Sequence, residues 1–208
     1  MLSRRVITRS GRHFRGRYPS AKLGRMVEFE SLIERDVILL LEFSGGVSFY
    51  QEQPTRLLYS DGETVRDYFP DFEVHLRTGC RIHIEAKPLA KLGLPSVAGK
   101  LNSIAEHYAA HREEYFQVVT DAIARREPLH TNLRALSALR AKATGPNYVE
   151  CPAHPVRASW NALETVLGRQ GLMQLVARGH LVCDLSQPLE GELVVQTVKE
   201  ADDDSLYI

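Results

Sequence analysis

The sequence predicts an α/β domain, a mixed sheet flanked by helices, followed by a smaller helical module that closes on a strand pair. Three observations lead there. Two runs of strictly alternating character, 71–76 and 82–87, flank a Gly-containing turn. A long segment dense in Leu, Ile, Val and Phe, 26–43, lacks both Gly and Pro. A helically spaced stretch, 97–115, runs into the strand-like Phe116, Gln117, Val118, Val119 and Thr120.

Taken in order, the first 27 residues carry Arg4, Arg5, Arg9, Arg12, Arg15, Arg17, Lys22 and Arg25 and no acid. Residues 1–25 therefore read as a basic arm able to grip phosphates, although the chain's formal net charge is zero. Residues 26–43 read as one helix of several turns, closed by Ser44, Gly45 and Gly46. Strands are expected at 47–51 and 55–59, with a turn at 60–63. In the hairpin that follows, the expected register pairs Leu76 with Ile82, Val74 with Ile84 and Phe72 with Ala86, all on one apolar side. The same register sets Asp71 opposite Lys87 on the other side, beside Glu85. The first domain is expected over 26–127 and the second over 128–208. In the second, 130–142 reads as a helix, 160–167 and 172–177 as two short helices, and 180–185 with 193–198 as a strand pair. Helices followed by a β-ribbon resemble a small winged-helix module.

Composition removes other classes. Hydrophobic residues make up 44% and charged residues 25%, as in an ordinary globular chain. The longest aliphatic run, 37–41, is too short to span a bilayer, and no apolar stretch follows Arg4 and Arg5 to form a secretory signal. Three scattered cysteines, Cys80, Cys151 and Cys183, argue against a disulfide framework and for a reducing cytoplasm. Cys151 and His154 have zinc-like spacing but no second pair. The acidic residues Glu200, Asp202, Asp203 and Asp204 read as a solvated tail.

Chemistry concentrates in Pro70-Asp71 and Glu85-Ala86-Lys87. Phosphodiester hydrolysis needs neutralised phosphate oxygens, an activated water and a stabilised leaving oxygen, much of which a magnesium ion can supply. Magnesium is commonly held by one or two carboxylates, with waters completing its octahedron. Glu85 and Lys87 are two apart on a strand and share a face, and the hairpin brings Asp71 to them. Glu34 on the apolar helix is a third candidate carboxylate. Lys87 would orient or help deprotonate the attacking water and offset charge growing on the phosphate. The structural alternative is a solvated sheet face carrying cross-strand ion pairs. Lys91 and Lys100, after the second strand, are candidate phosphate contacts, with ordinary exposed helix lysines as the alternative.

This Pro-Asp…Glu-x-Lys pattern is that of a large nuclease superfamily with a restriction-endonuclease-like fold. Further residues follow in a particular order: Tyr18-Pro19-Ser20-Ala21-Lys22, Glu34, Glu42-Phe43, Phe49-Tyr50-Gln51-Glu52-Gln53-Pro54, Tyr68-Phe69-Pro70-Asp71-Phe72, Glu85-Ala86-Lys87-Pro88 and Val118-Val119-Thr120-Asp121. On these motifs, about half the chain resembles the TnsA endonucleases, the nuclease subunits of heteromeric cut-and-paste transposases. The resemblance implies that Glu34, Asp71 and Glu85 bind metal, Mg2+ with Mn2+ able to substitute, and that Lys87 is the catalytic lysine. It also implies cleavage of the non-transferred strand at the 5′ ends of an element, beside a DDE transposase subunit (TnsB) and an AAA+ regulator (TnsC). Two alternatives remain at this point: a stand-alone restriction-like or phage nuclease, and a non-catalytic DNA-binding or assembly subunit.

Overall fold

Ser31 divides the segment expected to be one long helix. Its side chain accepts from Glu34 N at 3.1 Å and caps a helix, α1 (Leu32–Phe43). The residues before it form a β-hairpin instead, β1 (Gly16–Ser20) with β2 (Arg25–Phe29), paired from Gly16↔Phe29 to Ser20↔Arg25. In β2, Val27 and Phe29 are buried while Met26 is exposed, a two-residue period hidden inside an apolar-rich stretch. The computed structural model describes residues 14–54, 56–60, 63–111, 114–140, 156–198 and 204–208. Arg4, Arg5 and Arg12, the Cys151/His154 pair, and the acidic Glu200, Asp202 and Asp203 lie outside them.

The chain divides into two units, one of residues 1–124 with 204–208 and one of residues 125–203. The sequence boundary at 127/128 falls three residues late, and the last five residues belong to the first unit. Ser205 O accepts from Gly46 N at 2.9 Å, and Tyr207 N donates to Ser44 Oγ at 3.0 Å.

The first unit is built on a four-stranded mixed sheet. It comprises β3 (Val47–Glu52), β6 (Phe72–Leu76), β7 (Arg81–Lys87) and β8 (Tyr115–Thr120), in the order β3-β6-β7-β8. The first two pairings are antiparallel, while β7 and β8 run parallel. A separate ribbon pairs β4 (Leu57–Ser60) with β5 (Val65–Tyr68), and the sequence reading missed β5. Helices α2 (Leu89–Leu92) and α3 (Pro95–His111) lead from β7 to β8, and α4 (Asp121–Ala124) follows.

The β6–β7 hairpin forms with a register two residues from the expected one: Phe72 faces Ile84 and Val74 faces Ile82. A shift of two preserves sidedness, so the apolar face survives while every cross-strand partner changes. The turn sets this register. Leu76 N donates to Cys80 O at 2.9 Å, closing a three-residue loop whose last residue, Gly79, has φ +89°. Only glycine adopts that conformation without strain.

Strand β7 is buried on both faces. Ile82, Ile84 and Ala86 lie on the side packed by α1. His83 and Glu85, on the other face, are covered by a cluster of Leu57, Tyr59, Tyr68, Ile104 and Tyr108, with Phe116 against it. The His83 ring stacks on Tyr108 with centroids 4.2 Å apart. A continuous apolar and aromatic cover is the usual setting of a strand that gains a parallel neighbour.

In the second unit, α5 (Leu129–Arg140) and α6 (Trp160–Ala177) accompany a three-stranded antiparallel sheet. The sheet order is β10 (Leu181–Val182), β11 (Val194–Thr197), β9 (Arg157–Ser159). The two short helices expected at 160–167 and 172–177 are both present within α6, which is broken between them at Gly168, a non-helical residue with φ +70° and ψ 153°. Strand β9 is an addition to the expected pair. Its core includes Leu129, Leu133, Leu136, Trp160, Leu172, Leu175 and Val195. Among the described residues, no helix is long and apolar enough to cross a membrane.

Candidate active site

Asp71 stands between Pro70 and the first residue of β6, where two neighbours fix it. Its carbonyl accepts from Gln53 N at 2.9 Å, just past β3, with Gln53 held at φ +40°. Its carboxylate Oδ2 accepts from Ala86 N at 2.7 Å, just past the Phe72↔Ile84 pair of β6 with β7. The sequence register had placed Asp71 opposite Lys87. One residue before Phe72↔Ile84, it instead comes level with Glu85.

Glu85 is buried at 3% exposure and both of its oxygens are engaged. Oε2 accepts from the Tyr68 hydroxyl at 2.6 Å, and Oε1 is ion-paired with Lys87 Nζ. Ala86, between them, turns into the core, as the two-residue period requires. The parallel pairing of β8, Glu85↔Val118 to Lys87↔Thr120, holds this strand end, and Asp121 Oδ1 accepts from Leu89 N at 2.8 Å just beyond it. Tyr68 joins the candidate site through this hydrogen bond; it stands in the Tyr-Phe-Pro-Asp motif, but its strand is not among those the sequence predicts.

Glu34 is half-buried at the third position of α1, its backbone N–H capped by Ser31 and its side chain reaching back to the residue before that cap. Its Oε2 accepts from Glu30 N at 2.7 Å. Glu34 thus has a local role at the helix start, yet it also lies within electrostatic reach of Asp71 and Glu85. Burial raises the Asp71 pKa well above the ordinary aspartate value, and the charges of Glu85 and Glu34 push it further; Ala86 N and Lys87 oppose this. Burial also raises Glu34, whose backbone and Ser31 hydrogen bonds oppose the rise while Glu30 and Glu85 add to it. For Lys87, burial favours the neutral amine, but Glu85, Asp71 and Glu34 together outweigh it and the pKa is raised. Without a metal ion, Lys87 is thus held as an ammonium, a form suited to orienting water and offsetting phosphate charge. Burial and Glu85 also raise Tyr68, which keeps its proton and remains a donor.

Among the described residues, no three His, Cys, Asp or Glu side chains form a ready-made metal cage. A magnesium ion that retains its waters does not require one. The donor set fits such an ion: hard carboxylate oxygens whose mutual repulsion, written in the raised Asp71 and Glu34 values, a divalent cation would relieve. Asp71 and Glu85 would be its ligands, with Glu34 adjoining.

The remaining candidates separate. Arg15 pairs with Glu30 at 3.3 Å, and Arg17 pairs with Glu28 at 3.0 Å. Arg25 grips Glu52 through two 2.6 Å hydrogen bonds. Lys22 Nζ donates to Ser44 O at 2.6 Å and Val47 O at 2.7 Å. Lys22 and Arg25 hold the β1–β2 hairpin onto the end of α1 and β3, while Arg15 and Arg17 pair with residues on or next to β2, which corrects the reading of residues 14–25 as part of an arm. Lys91 is exposed on α2, and Lys100 is exposed on α3, with Nζ 5.2 Å from the Tyr68 ring centre. Glu73 pairs with His75 at 2.6 Å. No protein-family model matches this chain, and no curated protein matches it.

Proposed function

We propose that this chain is a magnesium-dependent DNA endonuclease of restriction-endonuclease-like fold. On this reading it acts as the TnsA-type subunit that cuts the 5′ ends of a transposon beside a DDE transposase (TnsB) and an AAA+ regulator (TnsC). The observation that carries the reading is the meeting of Asp71, Glu85 and Lys87 at the end of β7, with Glu34 close enough to raise the proton affinity of Asp71. The ordered motifs shared with TnsA endonucleases supply the transposition context. The second unit, with its helices and three-stranded sheet, is read as a winged-helix-like module for DNA or partner contact.

Bound magnesium would supply Lewis acidity and an acidified water. Asp71, oriented by Ala86 N, and Glu85, fixed by Tyr68, would present oxygens to that ion. Lys87 would hold the attacking water in line and balance charge on the phosphate. Water oxygen joins phosphorus as the P–O3′ bond breaks, leaving 5′-phosphate and 3′-hydroxyl ends.

The test is a reconstituted excision reaction containing the transposase subunit, comparing wild type with Asp71→Ala. Loss of 5′-end cleavage by at least about a hundredfold is expected, with 3′-end cleavage retained. Wild-type 5′ cutting by the variant contradicts the site.

A further inference from the structure

Between the β4–β5 ribbon and the first turns of α3 lies a cleft of about 510 Å³. Arg66 and Asp67 of β5 form one wall, and Ser96, Gly99, Lys100 and Ser103 of α3 form the other. Lys100 Nζ stands over the Tyr68 ring, and the hydroxyl of that ring donates to Glu85. A single tyrosine therefore separates the ammonium from a carboxylate of the candidate site. Asp67, the one acid in this lining, is ion-paired to Arg56 at 3.5 Å, so the lining remains cationic in balance. The first turn of α3 carries no acid, and its dipole favours an anion at that end. Gly99 leaves the wall open: a Cβ there would meet nothing within 4 Å.

We propose that this cleft seats the sugar–phosphate backbone of the DNA next to the cut, with Lys100 neutralising one phosphate. The identity of the polyanion rests on the nuclease reading. The cleft itself rests on its shape and charge. A polymer cut beside Glu85 must continue past that residue, and the cleft lies across Tyr68 from it. Sequence-independent binding by lysine to phosphate is the chemistry this surface supports.

The test measures binding of a fluorescein-labelled DNA duplex by anisotropy, in chelator, for the full chain and the variants Lys100→Ala and Gly99→Met. The chelator separates binding from cutting. Lys100→Ala is expected to weaken binding roughly fivefold and to lower the slope of log affinity against log salt by about 1. Gly99→Met keeps every charge and fills the opening, and a comparable loss is expected. Lys100→Ala at wild-type affinity and slope overturns the proposal whatever Gly99→Met does, as does a wild type that binds no duplex at low salt. Failure of the nuclease reading looks different: no 5′ cleavage by wild type in the excision assay, while the cleft variants still lose affinity.

Discussion

Asp71 holds a carboxylate where burial and two like charges resist it, and that cost is measurable without any cleavage assay. Its folded-state pKa lies above the ordinary value of 3.8, so the folded state binds this proton more tightly than the unfolded one. The stability contributed by the protonated form is full below that ordinary value and is lost as pH rises through the raised one. Asp71→Asn is neutral at every pH and can still accept from Ala86 N. The melting temperature of the metal-free variant should therefore exceed that of wild type by a margin that grows as pH rises above the ordinary aspartate value of 3.8 and levels off once the raised value is passed. Each kcal/mol relieved corresponds to roughly 2–4 °C for a chain of this size. A margin that stays flat with pH contradicts the electrostatic account. At this scale the sequence was informative about identity and less so about company. Asp71, Glu85 and Lys87 were visible as a pattern, whereas Tyr68 was not, because its hydrogen bond to Glu85 depends on a ribbon folding over the sheet.

Among the elements, α1 shows how one side chain can serve two ends. Glu34 accepts from Glu30 N ahead of the Ser31 cap and also lies within electrostatic reach of Asp71 and Glu85. Glu34→Gln keeps an oxygen for Glu30 N, so stability should change by less than about 0.5 kcal/mol while 5′ cleavage falls at least tenfold. Ser31→Ala should do the opposite, costing about 1 kcal/mol in urea denaturation with cleavage retained. Equal effects of both substitutions on stability would place Glu34 in the cap alone. The β6–β7 hairpin was legible because alternation survives a two-residue shift. Its register was not, since both registers bury the same residues and only the three-residue loop ending at Gly79 decides between them. Strand β2 was missed for a related reason: its five alternating residues are continuous with the apolar run of α1, and the break is a single capping serine.

At the scale of the molecule, the first unit is completed by the end of the chain. Residues 204–208 return to Gly45 and Gly46, where Ser205 accepts from Gly46 N and Tyr207 is buried at 8% exposure. Tyr207→Ala should therefore destabilise the unit that carries the candidate site, by about 2–4 kcal/mol in urea denaturation followed through that unit. An unchanged midpoint would mean that these residues contribute nothing to it. The two-part organisation was legible near the polar stretch before Pro128. The return of residues 204–208 was not, because so short a segment carries no periodicity to reveal where it docks. The basic residues between 15 and 25 mislead in the opposite sense. Charge count suggested an arm, but Arg15, Arg17, Lys22 and Arg25 meet carboxylates and carbonyls of their own unit.

All of this turns on whether Asp71 and Glu85 share a divalent ion. Titration of the metal-free full chain with Mn2+, followed by electron paramagnetic resonance of the free ion, addresses that without DNA or partner subunits. Saturable binding that Asp71→Asn weakens at least about tenfold, and that Mg2+ competes away, is the expected result. Binding that is absent from wild type, or indifferent to Asp71→Asn, would contradict the metal site and the hydrolytic mechanism built on it.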